Sequence, residues 1–149
     1  MDCEKKPELI GPLLGYCNHR AYLSMDKKLR RYGVTPIQCR TLTYLHRQPG
    51  PVTQKQLQQH LAVKPSTVNG IVDRMVERGL VERSADASDA RRRRVALTQG
   101  GMMQLERCRR ELLDTERLME KNFSPGELAQ LHGLLGRVIQ ILEEDREKC

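Results

Sequence analysis

Two short amphipathic segments stand about three residues apart in the middle of the chain, and that closeness constrains the fold more than any other feature. Thr53 is a fitting N-cap for a helix over Gln54 to Leu61, with Leu57 and Leu61 four apart on one face. After Ala62 and Val63 comes "KPSTVNGIVDRMVERGL". Pro65 suits the first helical position, Val68, Ile71, Val72, Met75 and Val76 form an apolar stripe, and Gly79 closes the helix. Two helices so joined, the second with small polar side chains in its first turn, make a helix-turn-helix. The period then changes from helical to alternating. Leu80 to Arg83 reads as a short strand, and Arg93, Val95 and Leu97 share one face of another. The intervening "SADASDAR" is too long for a two-residue turn. A helix-turn-helix followed by a basic hairpin is a winged helix, with the four consecutive arginines, Arg91 to Arg94, on the wing and its returning strand.

The flanks read as helices. From Pro7 to Arg31 the residues Leu9, Leu13, Leu14, Tyr16, Cys17, Tyr22, Leu23, Met25 and Leu29 recur at helical intervals, and Gly33 offers a stop. Thr35 and Pro36 form a cap and first-turn pair for a helix through Ile37, Thr41, Leu42 and Leu45, which "QPGP" breaks. From Met102 onward Leu105, Cys108, Leu112, Thr115 and Met119 keep helical spacing. "NFSPGE" then interrupts, with Ser124 as cap, Pro125 first and Glu127 completing a capping box. Leu128, Leu131, Leu134, Leu135, Val138, Ile139 and Leu142 form a stripe wider than one short helix needs, so the terminal helices are expected to bury it in a dimer. The expected fold is mainly α with a small β-hairpin wing. Residues 1–34 form an N-terminal dimerisation helix, 35–99 a winged helix-turn-helix DNA-binding domain, and 100–149 the C-terminal dimerisation helices.

Charge sharpens this division. Residues 35–99 carry 11 basic and 5 acidic side chains, whereas residues 100–149 carry 8 and 10. A basic middle on a less basic helical scaffold is the footprint of a nucleic-acid module. With no Trp and one Phe, the chain lacks the aromatic platform on which single-stranded bases stack, which favours duplex DNA. No apolar run approaches the roughly 18 residues of a membrane span and no secretory signal opens the chain, so the expectation is a cytoplasmic protein with no membrane partner. Five scattered cysteines and four histidines show no paired metal-ligand spacing, so neither a disulfide framework, a metal site nor another cofactor is expected. A glycine-rich phosphate loop, HExxH and a Ser, His and Asp motif are all missing, and no enzymatic role is expected.

Four stretches, "VTPIQCRTLTYL" (34–45), "LAVKPSTVNGIVDRMVERGLVER" (61–83), "DARRRRVALT" (89–98) and "FSPGELAQLHGLL" (123–135), together resemble the MarR family of winged-helix regulators. The resemblance covers nearly the whole chain, and the Asp89-x-Arg91 pair is its most specific part. It implies an obligate dimer with intertwined terminal helices and recognition helices in successive major grooves. It also implies wings directed at the minor groove, and a small-molecule effector bound where the dimerisation helices meet the winged domain. Two positions depart from the family pattern: Gly70 stands where an arginine is frequent, and Lys64 where a short capping side chain is.

Ser66, Thr67 and Asn69 are the candidate base or phosphate contacts, set against a reading in which they only start a helix. Lys64 is a poor cap but is useful beside a phosphate. Arg91 and Arg92 are the candidate minor-groove residues, with Asp89 supporting the guanidinium or the wing by an ion pair. Arg93 and Arg94 fit a solvated basic face better. Arg74 either clamps a phosphate or pairs with Glu77, and Lys55 and Gln56 are weaker backbone-contact candidates. Cys17, near His19 and Arg20, is either a redox-responsive thiol or a small core residue. The expected function is a sequence-specific, ligand-responsive dimeric repressor acting on a pseudo-palindromic operator. The alternatives are a thiol-based redox regulator and a non-specific architectural or protein-interaction module.

Overall fold

The computed structural model describes residues 8–89 and 91–148, and of Lys148 the backbone alone. Pro7, the expected first residue of the opening helix, Ala90 within the wing motif, and Cys3 and Cys149 lie outside the described residues. Helix α1 spans Ile10–Leu29 and runs into a 3-10 turn, Arg30–Tyr32, which Gly33 ends in the left-handed region at φ 65°. Next come α2 (Pro36–His46), β1 (Val52–Thr53), α3 (Gln54–Leu61) and α4 (Pro65–Glu77). The hairpin strands β2 (Val81–Ala85) and β3 (Arg93–Leu97) precede the long helices α5 (Gln99–Glu120) and α6 (Pro125–Lys148). The strands form one antiparallel sheet in the order β1-β3-β2, with Val95 of β3 opposite Val52 on one side and Arg83 on the other. The architecture is a mainly helical winged helix-turn-helix.

Local chemistry accounts for the element boundaries. Three helices open with a reciprocal capping box, in which a hydroxyl accepts a first-turn N–H and the third residue's side chain reaches back. Thr35 and Gln38 cap α2, Thr53 and Gln56 cap α3, and Ser124 and Glu127 cap α6. The sequence reading includes only the last of these as a box; the first two use glutamine as the returning partner. Thr98 performs a related service for α5: its Oγ1 accepts the Gly101 N–H at 3.0 Å and donates to the Gly79 carbonyl at 2.6 Å. Gly101 is sterically obligatory, because a Cβ there would overlap the Leu80 carbonyl oxygen.

The core lies among α2, α3, α4 and the sheet. Leu42, Leu57, Val72, Met75 and Val95 are wholly buried, and Leu61, Val68, Ile71, Val81 and Leu105 nearly so. Three details differ from the sequence reading. Val76, assigned to the buried stripe of α4, is 38% exposed in the helix's last turn, beyond the edge of this core. The first hairpin strand covers Val81–Ala85 rather than Leu80 to Arg83. Strand β1 was not expected at all, since Val52, the one residue between the Pro-Gly-Pro break and the Thr53 cap, carries no periodicity.

The chain divides into two compact units, one through Glu111 and one from Leu112. Within the first, buried Glu111 accepts from the Tyr32 hydroxyl at 3.1 Å and pairs with Arg31, tying the end of the α1 segment to α5. Within the second, none of the described side chains of α6 is buried, and Leu134, Leu135, Ile139, Ile141 and Leu142 are 40–61% exposed. Among the described residues no helix is long and apolar enough to cross a membrane.

Candidate nucleic-acid interface

Helices α3 and α4 are joined through Ala62, Val63 and Lys64, with Ala62 in the left-handed conformation at φ 55°. Pro65 occupies the first position of α4, as its fixed φ favours. Lys64 stands at the N-cap and supplies no side-chain hydrogen bond. Its carbonyl accepts the Thr67 and Val68 N–H groups, but the Ser66 N–H, one turn too early for an intrahelical acceptor, is left for an outside partner. No carboxylate occupies the first turn of α3 or α4, so the positive end of each helix dipole is uncompensated from within.

Burial of Val68 and Ile71 turns the opposite side of α4 outward, and Ser66, Thr67 and Asn69 are all exposed there. Asn69 is held from outside its own helix: Gln54 Nε2, at the start of α3, donates to Asn69 Oδ1 at 2.6 Å. One turn on, the Arg74 guanidinium folds back over Gly70 to within 3.9 Å of where a Cβ would sit, an ordinary van der Waals distance. No ion pair joins Arg74 to Glu77 among the described residues. Asp73 instead receives Arg83 from β2 at 2.7 Å, which fixes α4 against the wing.

The wing is organised around a carboxylate that the sequence reading did not single out. Asp86 is buried where β2 passes into the wing loop and accepts from the Ser88 hydroxyl at 2.6 Å, the Ser88 N–H at 2.8 Å and Arg94 Nε at 2.6 Å. These donors, the Ser88 groups foremost, hold its carboxyl well below the usual carboxylate range. Arg94 also donates to the Pro51 carbonyl at 3.1 Å, fastening the wing to the loop before β1. It is therefore a structural cation and departs from the solvated role expected for it. The signal was available as an acid eight residues before an arginine across a hairpin, but the register that joins them is not readable from spacing alone.

At the tip Asp89 Oδ1 accepts the Arg91 N–H at 3.0 Å, and its Oδ2 lies 3.5 Å from Arg92 Nε. The support it gives thus passes through the Arg91 backbone and the Arg92 guanidinium. The Arg91 side chain projects without an ion pair among the described residues, and Arg92 and Arg93 are exposed beside it. Of the weaker candidates, Gln56 is committed to capping Thr53, while Lys55 is exposed.

Cys17 is exposed on α1, and neighbouring Arg20 places its guanidinium on the Tyr16 hydroxyl at 2.8 and 3.0 Å and over the Tyr16 ring. Cys39 and Cys108 are buried in the winged unit. The Cys39 thiol is pushed up by its hydrogen bond to Cys108 and by burial, which keeps it protonated.

The family model described as MarR matches residues 32–92. The chain is similar to the HTH-type transcriptional repressor NicR of Pseudomonas putida, with 32% identity over 135 residues, 89% of this chain and 83% of that protein. Among solved structures it is similar to an S. aureus MepR–DNA complex, with a TM-score of 0.82, 25% identity, and coverage of 90% of this chain and 98% of that one. It is also similar to a mutant MarR from E. coli complexed with operator DNA, with a TM-score of 0.80, 27% identity, and coverage of 93% and 99%.

Proposed function

The chain is a DNA-binding transcriptional regulator of the MarR family, and from that premise we propose that it works as a cytoplasmic, homodimeric, ligand-responsive repressor of a pseudo-palindromic operator. One observation carries the reading. Ser66, Thr67 and Asn69 stand exposed on the side of α4 opposite buried Val68 and Ile71, beside a wing whose Arg91, Arg92 and Arg93 are exposed. Short polar side chains at a helix start reach base edges in a major groove, and arginine suits the negative potential of a narrow minor groove. In this reading Ser66, Thr67 and Asn69 contact bases or phosphate. Lys64 and Arg74 contact the backbone, and Arg91 and Arg92 serve the minor groove with Asp89 as the wing's support.

Dimerisation is supported by the apolar side chains of α1 and α6 that stay exposed among the described residues, Ile10, Leu23, Leu134, Ile139 and Leu142 among them. The division 1–34, 35–99 and 100–149 assigns the outer segments to that contact and the middle to DNA. Two recognition helices about 34 to 36 Å apart would then meet half-sites one helical turn apart. The repressor role takes support from the printed function of NicR. A small-molecule effector would regulate by binding one spacing of the two heads better than the other.

The test is selection of the purified protein against a random duplex pool. Enrichment of an inverted repeat is expected. Binding without enrichment would replace this reading with the architectural one. A peroxide-dependent change in operator affinity that disappears in Cys17→Ser would favour the redox alternative over a small-molecule effector.

A further inference from the structure

A cleft of about 290 Å³ opens between the start of α3 and the wing, lined by Thr53, Gln54, Lys55, Arg92 and Arg93. Three cations from two separate elements face it, and its lining contains no carboxylate. Arg92 is partly offset by Asp89, whereas Lys55 and Arg93 have no ion pair among the described residues. Like charges gathered at one cleft repel one another, and an anion between them removes that cost. The cleft also lies at the positive end of α3, where the Gln54 and Lys55 N–H groups have no intrahelical acceptor and the first turn has no acid. The Thr53 hydroxyl is already engaged with Gln56, which leaves those two N–H groups and the three side chains to meet a ligand.

Its position narrows the choice of anion. Gln54 lines the cleft and also donates to Asn69 on the exposed side of α4, while Arg92 belongs to the wing tip. The cleft therefore lies between the element assigned to the major groove and the element assigned to the minor groove. A sugar–phosphate strand separates those grooves in duplex DNA, and it has to cross this gap. We propose that the cleft clamps one backbone phosphate of that strand, with Lys55 and Arg93 as its principal cations. The inference rests on the DNA-binding reading above and extends it to Arg93, expected from sequence on a solvated face, which it joins to Lys55, a weaker backbone-contact candidate, at a single phosphate. A phosphodiester carries one negative charge and no sequence information, so the clamp fixes the register between α4 and the wing while α4 discriminates bases.

The experiment is a salt titration of the full-length protein on its selected duplex and on a scrambled one, with Lys55→Ala and Arg93→Ala alongside. A methylphosphonate scan of the selected duplex accompanies it, neutralising one phosphate at a time. Each substitution is expected to weaken both duplexes to the same degree and to make the log–log salt slope shallower by about one unit. The scan is expected to find, in each half-site, a phosphate between the two grooves whose neutralisation weakens the unaltered protein but not Arg93→Ala. Unchanged slopes in both variants would overturn the clamp and leave the DNA-binding reading intact. The scan on the unaltered protein needs no substitution, so absence of any sensitive phosphate between the grooves overturns it even if a variant misfolds. Competition by inorganic phosphate at constant ionic strength, lost in Arg93→Ala and unaccompanied by a methylphosphonate effect, would assign the cleft to a free anion and overturn the DNA clamp. Failure of the unaltered protein to bind any duplex would remove both readings.

Discussion

The unit through Glu111 and the unit from Leu112 use the same apolar alphabet to opposite ends. In the first, Leu42, Leu57, Val72 and Met75 have no exposed surface, and each gains roughly 1.5–3 kcal/mol from leaving water. In the second, Leu134, Leu135 and Ile139 of α6 recur at the same helical spacing and remain 40–58% exposed. Periodicity alone does not distinguish these cases. A stripe states that a face wants covering, and only the number of neighbours within the chain decides whether the chain can cover it. The core of the winged unit is complete within that unit, whereas among the described residues Ile10 and Leu23 of α1 and the apolar face of α6 stay exposed.

The largest way to break this comparison is to damage the complete unit at its tightest point. At Gly101 the backbone of α5 lies against the Leu80 carbonyl with no room for a methyl group. Gly101→Ala is expected to cost about 3 kcal/mol, read as a fall in the urea midpoint, because backbone rather than a flexible side chain would have to move. A wild-type midpoint would show that the α4–β2 turn yields more easily than its packing indicates.

The next effect belongs to the incomplete unit. Leu135→Asp combined with Ile139→Asp places two charges on one face of α6, four residues apart. Light scattering is expected to show monomers, and operator affinity is expected to drop by about 100-fold or more as two linked heads become separate binders. Unfolding of the winged unit should also move to a lower midpoint, because the monomer loses the stability that association supplies. A dimer that survives this change would mean that α6 is covered in another way.

These two tests also mark what could be read in the sequence. Thr35-Pro36, Pro65, Gly79 and the Ser124 to Glu127 box act within a few residues of themselves, so their roles followed from residue type and spacing. Wing, helix-turn-helix and most of the core were legible for the same reason. Contacts that depend on chain reversal were not. Asp86 finds Arg94 only through the hairpin register, Gln54 reaches Asn69 across fifteen positions, and Arg31 meets Glu111 across eighty. Arg94 shows the consequence most directly: within a run of four arginines its chemistry is indistinguishable from Arg93, and only the alternation of β3 directs one to Asp86 and the other to the basic cleft.

A smaller effect follows from that carboxylate. Asp86 is held below its ordinary value near 3.9, so its contribution to wing order is complete above about pH 4 to 5 and fades as pH falls further, when protonation removes the Ser88 and Arg94 bonds. Asp86→Asn should weaken specific binding a few-fold at neutral pH without touching DNA, and it should flatten the acid limb of wing unfolding followed by amide exchange. An acid limb identical to wild type would locate the titrating group elsewhere.

The smallest expected effect tests whether the complete unit is also relaxed. Ala62 holds a left-handed conformation at φ 55° in the turn between α3 and α4, and a Cβ makes that region costly. Ala62→Gly removes the Cβ and should raise stability by about 0.5–1 kcal/mol, the relief exceeding the added freedom of the unfolded chain. Operator affinity should be unchanged, because Gln54 still anchors Asn69 across the turn and Asp73 still receives Arg83. A gain in stability accompanied by weaker binding would overturn that expectation. It would show that the strain at Ala62 sets the angle at which α4 meets DNA, and that the two cross-contacts do not hold the angle by themselves.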